Sequence, residues 1–381
     1  MRVRLVLGIL LAALSLPLAL MYYGLLKLPA WEAWLVPPES TSPPLRKVAG
    51  DPGNAYYWCE LAEWFDEQGD AQRAQRAAQM ASALGPNLAP LQMRLANFYF
   101  NRSDFTTALR HTSRTLELTR VYDAVIFSYY RRFGLPLQQV LQHGLPQLPE
   151  ARYAYFLHLL GWAEPATVLQ VWPWLCADHQ PPLELATLYI RYLARQSLWE
   201  QAAQTWRQMA PQPPEQYLVT EHVYNGGFEH PFQPVPFDWQ TSPPAGAVIS
   251  QSTDRPRSGR QCLKIEFLGQ ENVVFRHVSQ SCWLRQGEYQ FEIWVRTDGL
   301  TTDQGVYFSV EHPGPASYQN RSESLLRTTG WQKVELRFRM PRPGLATIRV
   351  CRDPSRKIDS KIRGTVWIDD ASLKPLARGL S

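Results

Sequence analysis

Three patterns of apolar and polar positions succeed one another along the chain. From Leu5 to Leu26 there is no charged residue, with Arg2 and Arg4 before the run and Lys27 after it. At about 1.5 Å per residue such a helix reaches across a hydrocarbon core of about 30 Å. The run predicts an uncleaved signal anchor over 1–28. A removed signal peptide is the competing reading, but its apolar part would be long, and Leu28-Pro29-Ala30 puts Leu where a small residue is expected. Arg2 and Arg4 favour a cytoplasmic N-terminus, which places everything after Lys27 outside, with Trp31 and Trp34 at the outer interface. Residues 29–52, punctuated by Val36-Pro37-Pro38 and Ser42-Pro43-Pro44, read as a stiff, extended spacer.

The second pattern, over 53–212, has helical spacing. Trp58, Leu61, Ala62 and Phe65 mark one helix face, Gly69 and Asp70 a turn, and Ala74, Ala78 and Ala81 a second helix closed by Pro86. One period later Leu95, Ala96, Tyr99, Asp104, Phe105 and Ala108 repeat these features, and these two units resemble a tetratricopeptide array. Ala124 to Phe133, Tyr153 to Leu160 and Leu185 to Met209, with Trp199, Ala202, Ala203 and Trp206, continue the helical character, for about four to five helix pairs. The resemblance implies a helical scaffold whose concave surface holds a protein partner; a mere spacer is the plainer alternative.

Pro211-Gln212-Pro213-Pro214 marks the expected domain boundary, and over 217–376 the period becomes two. Leu263, Ile265 and Phe267 alternate with polar neighbours, as do Tyr289, Phe291, Ile293 and Val295, then Val306, Phe308 and Val310, then Val334, Leu336 and Phe338, and last Ala346, Ile348 and Val350. Short strands between Gly and Pro turns predict a two-sheet sandwich. Residues 377–381 are a tail. The fold class is therefore multidomain, α then all-β, behind one transmembrane helix.

Composition narrows the function. Of 381 residues 45% are hydrophobic and 12% aromatic, enough for packed cores, and a net charge of +5 is too small and dispersed for a nucleic-acid footprint. No HExxH, GxSxG, GxxxxGK[ST] or strand-following GxGxxG occurs, so no enzyme is predicted. Glu292 and Glu311 are the pair a glycoside-hydrolase reading would nominate. Cys59 and Cys176 fall in helical sequence and Cys262, Cys282 and Cys351 in strand-like sequence; without a CxxC pair neither zinc nor a redox motif is indicated, and a disulfide among the last three stays open.

Asn225-Gly226-Gly227-Phe228-Glu229 opens the β region, Trp239 follows, Gly287-Glu288-Tyr289 and Gly330-Trp331 lead into strands, and Val366-Trp367-Ile368-Asp369-Asp370-Ala371-Ser372-Leu373 closes it. In that order these elements resemble jelly-roll carbohydrate-binding modules of the family 4, 9 and 22 type. The resemblance implies polysaccharide binding on one sheet and a structural calcium ion joining the two ends, with Glu229 and Asp370 as ligands and Asn225 or Asp369 as lesser ones; capping of surface turns is the metal-free alternative. Strand parity points Glu292, Trp294 and Arg296 outward, and Tyr307, Glu311, Arg337 and Arg349 onto the same outer face, a mixture of flat rings and charges suited to a sugar polymer. A loop or the repeat domain covering Trp294 is the competing reading. Trp331 and Trp367 are assigned to core or turns, Trp239 and Trp283 to loops near the rim. The whole architecture resembles accessory proteins of bacterial exopolysaccharide or O-antigen assembly, which implies a single-pass inner-membrane protein with its bulk in the periplasm. A scaffold without glycan binding is the alternative.

Overall fold

The computed structural model describes residues 42–312, 320–358 and 360–376. The expected anchor over 1–28, Trp31, Trp34 and the tail over 377–381 lie outside the described residues. Among those described, no helix is long and apolar enough to cross a membrane. The chain divides into two compact units, Met1–His158 and Leu159–Ser381.

The first unit is helical, with α1 (Pro43–Gly50), α2 (Ala55–Glu67), α3 (Ala71–Leu84), α4 (Ala89–Asn101), α5 (Phe105–Leu118), α6 (Asp123–Arg132) and most of α7 (Pro149–Leu160). Helix α1 replaces the end of the expected extended spacer. Its prolines stand at the first turn, where no N–H is needed, and Leu45 and Val48 are buried. Asn54, Asp70 and Asp104 cap α2, α3 and α5 by accepting hydrogen bonds from Tyr56, Arg73 and Thr107 backbone N–H at 3.0–3.1 Å. Trp58, Leu61, Ala62 and Phe65 are buried against Ala74, Ala77, Ala78 and Ala81, whose small side chains let two helices approach. From Ala55 to Ala89, and from Ala71 to Phe105, corresponding helices start at the same offset of 34 residues.

The second unit begins with α8 (Pro165–Cys176), α9 (Leu183–Arg195) and α10 (Trp199–Met209). There follow β1 (Gln240–Thr241), β2 (Ala247–Ser252), β3 (Cys262–Leu268), β4 (Phe275–Leu284), β5 (Gly287–Leu300), β6 (Tyr307–Glu311), β7 (Arg327–Met340), β8 (Gly344–Arg352) and β9 (Arg363–Pro375). They form an antiparallel sandwich of a five-stranded sheet, β2-β3-β9-β5-β7, and a four-stranded sheet, β1-β4-β8-β6. From β4 onward each strand joins the sheet that its predecessor did not, the winding of a jelly roll. Its core holds the expected inward residues, among them Ile265, Phe267, Phe291, Ile293, Phe308, Val310, Ile348 and Val350. Trp239 belongs to that core, packed on Phe228 at 5.0 Å, and not to a rim loop.

The boundary expected at Pro211–Pro214 is a change of secondary structure within one compact unit. Helix α10 packs on β4 and β8, Trp206 is fully buried with its ring edge-on to Tyr224 at 5.0 Å, and the Tyr224 hydroxyl donates to the Pro211 carbonyl at 2.6 Å. Apolar burial holds α10 to the sheet, which prolines in the connection do not prevent.

Candidate functional site

The opening and closing segments of the sandwich are joined by protein groups. Ala371 N–H donates to the Gly226 carbonyl at 2.9 Å, and a Cβ at residue 226 would stand 2.0 Å from the Ala371 oxygen, so only glycine fits. The Glu221 carboxylate accepts from Val223 and Leu373 N–H, both at 2.9 Å, and from the Ser372 hydroxyl at 2.6 Å. Nearby lie the four expected calcium ligands. Glu229 Oε1 accepts from Arg260 and Gln261 N–H at 2.7 and 3.0 Å. Buried Asp369 accepts from Arg257, Ser258 and Asp370 N–H at 2.8–3.2 Å; burial raises its pKa to about 6 against those donors. Asp370 is paired with the Arg257 guanidinium and accepts from the Ser258 hydroxyl at 2.6 Å. Asn225 spends its amide on His230 N–H and carbonyl, at 3.1 and 2.8 Å. Calcium needs converging oxygen ligands. These carboxylates instead face N–H groups and a guanidinium, and among the described residues no group of three or more His, Cys, Asp or Glu is placed to hold a metal. The residues do not fit the ion; they fit the capping alternative.

The seven expected glycan contacts divide between two sheets. Glu292, Trp294 and Arg296 on β5 and Arg337 on β7 share the outward side of the five-stranded sheet. Tyr307 and Glu311 on β6 and Arg349 on β8 belong to the four-stranded sheet, so the single outer face expected for all seven is corrected to two. Parity states which side of its own strand a residue takes, while sheet membership depends on distant pairing.

On the five-stranded sheet, the Arg257 guanidinium lies 3.7 Å from the centre of the half-buried Trp294 ring. A loop residue therefore does cover this indole. Trp367, on the neighbouring strand, faces outward rather than into the core and is only 3% exposed, under Arg255 at 5.1 Å and Arg296 at 6.0 Å. Cation–π contacts of this kind stabilise by roughly 0.5–2 kcal/mol and fix the ring planes. Glu292 accepts from the Gln290 amide and lies 3.5 Å from Lys333 Nζ, and Arg337 Nε donates to Gln290 Oε1 at 3.1 Å.

The four-stranded sheet carries a different network. The Arg276 guanidinium donates to the Tyr307 hydroxyl at 2.8 Å and to Asp353, and the same hydroxyl donates to Asp353 at 3.1 Å. Arg276 and Arg321 stand 5.4 and 5.5 Å from the Tyr307 ring centre. Burial opposes ionisation of Asp353, but hydrogen bonds from Arg276 and Tyr307 outweigh it and hold the carboxyl below its ordinary value. Arg349 donates to Glu311 at 3.2 and 3.4 Å. Sequence reasoning missed Arg257, Arg276 and Asp353, which sit in loops or at strand ends and acquire their roles only through pairing.

In the helical unit, a groove of about 650 Å³ is lined by Gln75, Gln79, Arg110 and Arg114. His111 beside it is stacked on Tyr99, with Nδ1 2.7 Å from Gln92 Oε1; burial lowers its pKa to about 4, so it is a neutral packing residue. All five cysteines are free, so none of the strand cysteines forms the disulfide left open above.

No protein-family model and no curated protein matches the chain. Among solved structures it is similar to the xylan-binding family 22 domain of Xyn10C from Paenibacillus barcinonensis, at 11% identity over 41% of this chain and 92% of that one, with a TM-score of 0.27. It is similar also to the C-terminal family 22 carbohydrate-binding module of Clostridium thermocellum Xyn10B, at 10% identity over 41% and 95% with a TM-score of 0.28. A third is a CBM4 structure, at 13% identity over 40% and 99% with a TM-score of 0.28. Likeness at this level assigns no ligand and no residue role to this chain.

Proposed function

We propose that this chain is a non-enzymatic, membrane-anchored envelope protein that binds polysaccharide through its sandwich and a protein partner through its helical region, as an accessory to exopolysaccharide or O-antigen assembly. The observation that carries the glycan reading is the outward side of the five-stranded sheet, where the half-buried Trp294 indole stands beside Glu292, Arg296 and Arg337. A flat ring with a fixed plane among hydrogen-bonding groups is what a pyranose unit requires. The offset of 34 residues between helix pairs supports a tetratricopeptide-type scaffold, and the uncharged run Leu5–Leu26 supports the anchor. Catalysis by Glu292 and Glu311 is disfavoured. They point outward from opposite sheets of a sandwich about 10 Å thick, more than the roughly 5–9.5 Å that glycosidase carboxylates span.

The test is binding of the full-length chain to an array of bacterial and plant polysaccharides, with Trp294→Ala beside it. Saturable binding to one glycan class, weakened about tenfold or more by the substitution while the melting curve keeps its shape, is expected. Unchanged binding in the variant removes this face from the reading. A second reading, a protein scaffold without glycan affinity, is favoured by the arginines that already occupy the indole faces. It predicts no binding to any glycan by a folded chain.

A further inference from the structure

Within the second unit, helix α10 and the segment before β1 close a cleft of about 380 Å³ against the ends of β4 and β5. The volume lies in the range of small-ligand pockets, roughly 300–1,000 Å³. Trp283, Tyr289 and His222 supply its aromatic walls, and Arg207, Arg285 and Glu200 its charges, for a net charge of +1. Trp283 projects outward from β4 and is half-buried, so part of the indole remains open to the cleft.

Several of its polar groups lack protein partners among the described residues. Neither the Arg207 nor the Arg285 guanidinium makes a hydrogen bond or ion pair with any described residue. His222 is 6% exposed, packs edge-on to Tyr289 at 5.6 Å and shares a hydrogen bond with the Trp283 backbone, while its buried Nδ1 has no well-formed partner among the described residues. Burial lowers its pKa to about 4, so the ring is neutral near pH 7 and can present one donor and one acceptor. A buried ring nitrogen without a partner costs about 1–3 kcal/mol unless something in the cleft satisfies it.

We propose that this cleft is a second binding site, distinct from the sheet faces, for a single saccharide unit bearing an anionic group. The sugar ring lies on Trp283, its carboxylate or phosphate is held by the forks of Arg207 and Arg285, and a hydroxyl pairs with His222 Nδ1. Guanidinium forks match planar carboxylate and phosphate oxygens, and an indole with a hydrogen-bonding neighbour suits a pyranose. The sugar class rests on the glycan reading above; the negative charge rests on the cleft alone.

The test titrates the full-length chain, followed by tryptophan fluorescence and calorimetry, with glucuronate, glucose 6-phosphate, glucose and inorganic phosphate. Saturable binding of glucuronate or glucose 6-phosphate at least tenfold tighter than of glucose is expected, and whichever wins names the anionic group. Arg285→Gln and Arg207→Gln should each weaken that binding by about tenfold or more. Trp283→Phe should retain more of it than Trp283→Ala. Both arginines are exposed and unpaired among the described residues, so their variants should melt as the parent does. Equal affinity for glucose, no saturation by either anionic sugar, or full affinity in the arginine variants overturns the site. Inorganic phosphate binding as tightly as glucose 6-phosphate overturns the sugar part. Trp294→Ala should leave this titration unchanged, so failure of the sheet face and failure of the cleft are read separately.

Discussion

The seam between the opening and closing segments and the cleft under α10 are built from the same kinds of side chain, yet they treat them oppositely. At the seam, Arg257 is spent on Asp370 and Trp294, Asp369 takes three N–H groups, and Glu229 takes two. In the cleft, two exposed guanidinium groups and a buried imidazole nitrogen are left without partners among the described residues. Native structures satisfy nearly all buried polar groups, so the paired carboxylates of the seam hold the chain, whereas the unpaired His222 Nδ1, with two exposed guanidinium groups beside it, is set aside for something else. The contrast predicts that seam substitutions move stability and cleft substitutions move binding.

The largest stability effect should come from Asp238, fully buried beside the seam. It accepts from Gln233 and Trp239 N–H at 2.6 and 2.7 Å, but burial raises its pKa from 3.8 to about 7. The folded state keeps a proton that the unfolded chain has released, so stability falls as pH rises from about 4 to about 7. At about 1.4 kcal/mol per unit the difference reaches up to about 4 kcal/mol. Denaturant unfolding of the full-length chain at pH 4 and pH 8 measures it, and Asp238→Asn should flatten the dependence. A parent equally stable at both values sinks the claim.

Next in size is a matched pair. Arg257→Ala removes the partner of Asp370 and the cover of Trp294, and should lower stability by about 1–2 kcal/mol, kept modest because the pair is about one third exposed. Arg285→Ala should change it by less than about 0.5 kcal/mol. Equal losses at the two positions would erase the distinction between seam and cleft.

Helix faces and strand parity were legible in the sequence because each depends on neighbours a few residues away. Trp58, Leu61, Ala62 and Phe65 are buried as their spacing requires, and Phe291, Ile293 and Val295 point inward as alternation requires. Strand β4 escaped, because the irregular register between Phe275 and Val278 breaks the period just where the strand begins. Sheet membership escaped too. Nothing local separates Tyr307 from Trp294, and only pairing of β6 with β8 and of β5 with β9 puts them on different sheets. The cleft was invisible for the same reason, since its walls come from residues near 200, 220, 285 and 375.

The smallest expected effect concerns calcium. The sequence raises the expectation of an ion between Glu229 and Asp370, yet an ion there would have to part Asp370 from Arg257 and take Glu229 from the Arg260 and Gln261 N–H groups. Gly259 shows how closely that loop wraps the carboxylate: with φ at +60°, a Cβ on it would stand 2.1 Å from Glu229 Oε1. Donors held this tightly already supply what the ion would supply, a link between the two ends of the sandwich. Millimolar calcium, or its removal by chelator, should therefore move the melting temperature of the full-length chain by less than about 1 °C, because a ligand stabilises only in proportion to its occupancy. A rise of several degrees with calcium, abolished by Glu229→Gln, would show that the seam can exchange its protein donors for a cation, and the line between seam and cleft would then have to be drawn on ligand charge instead of satisfaction.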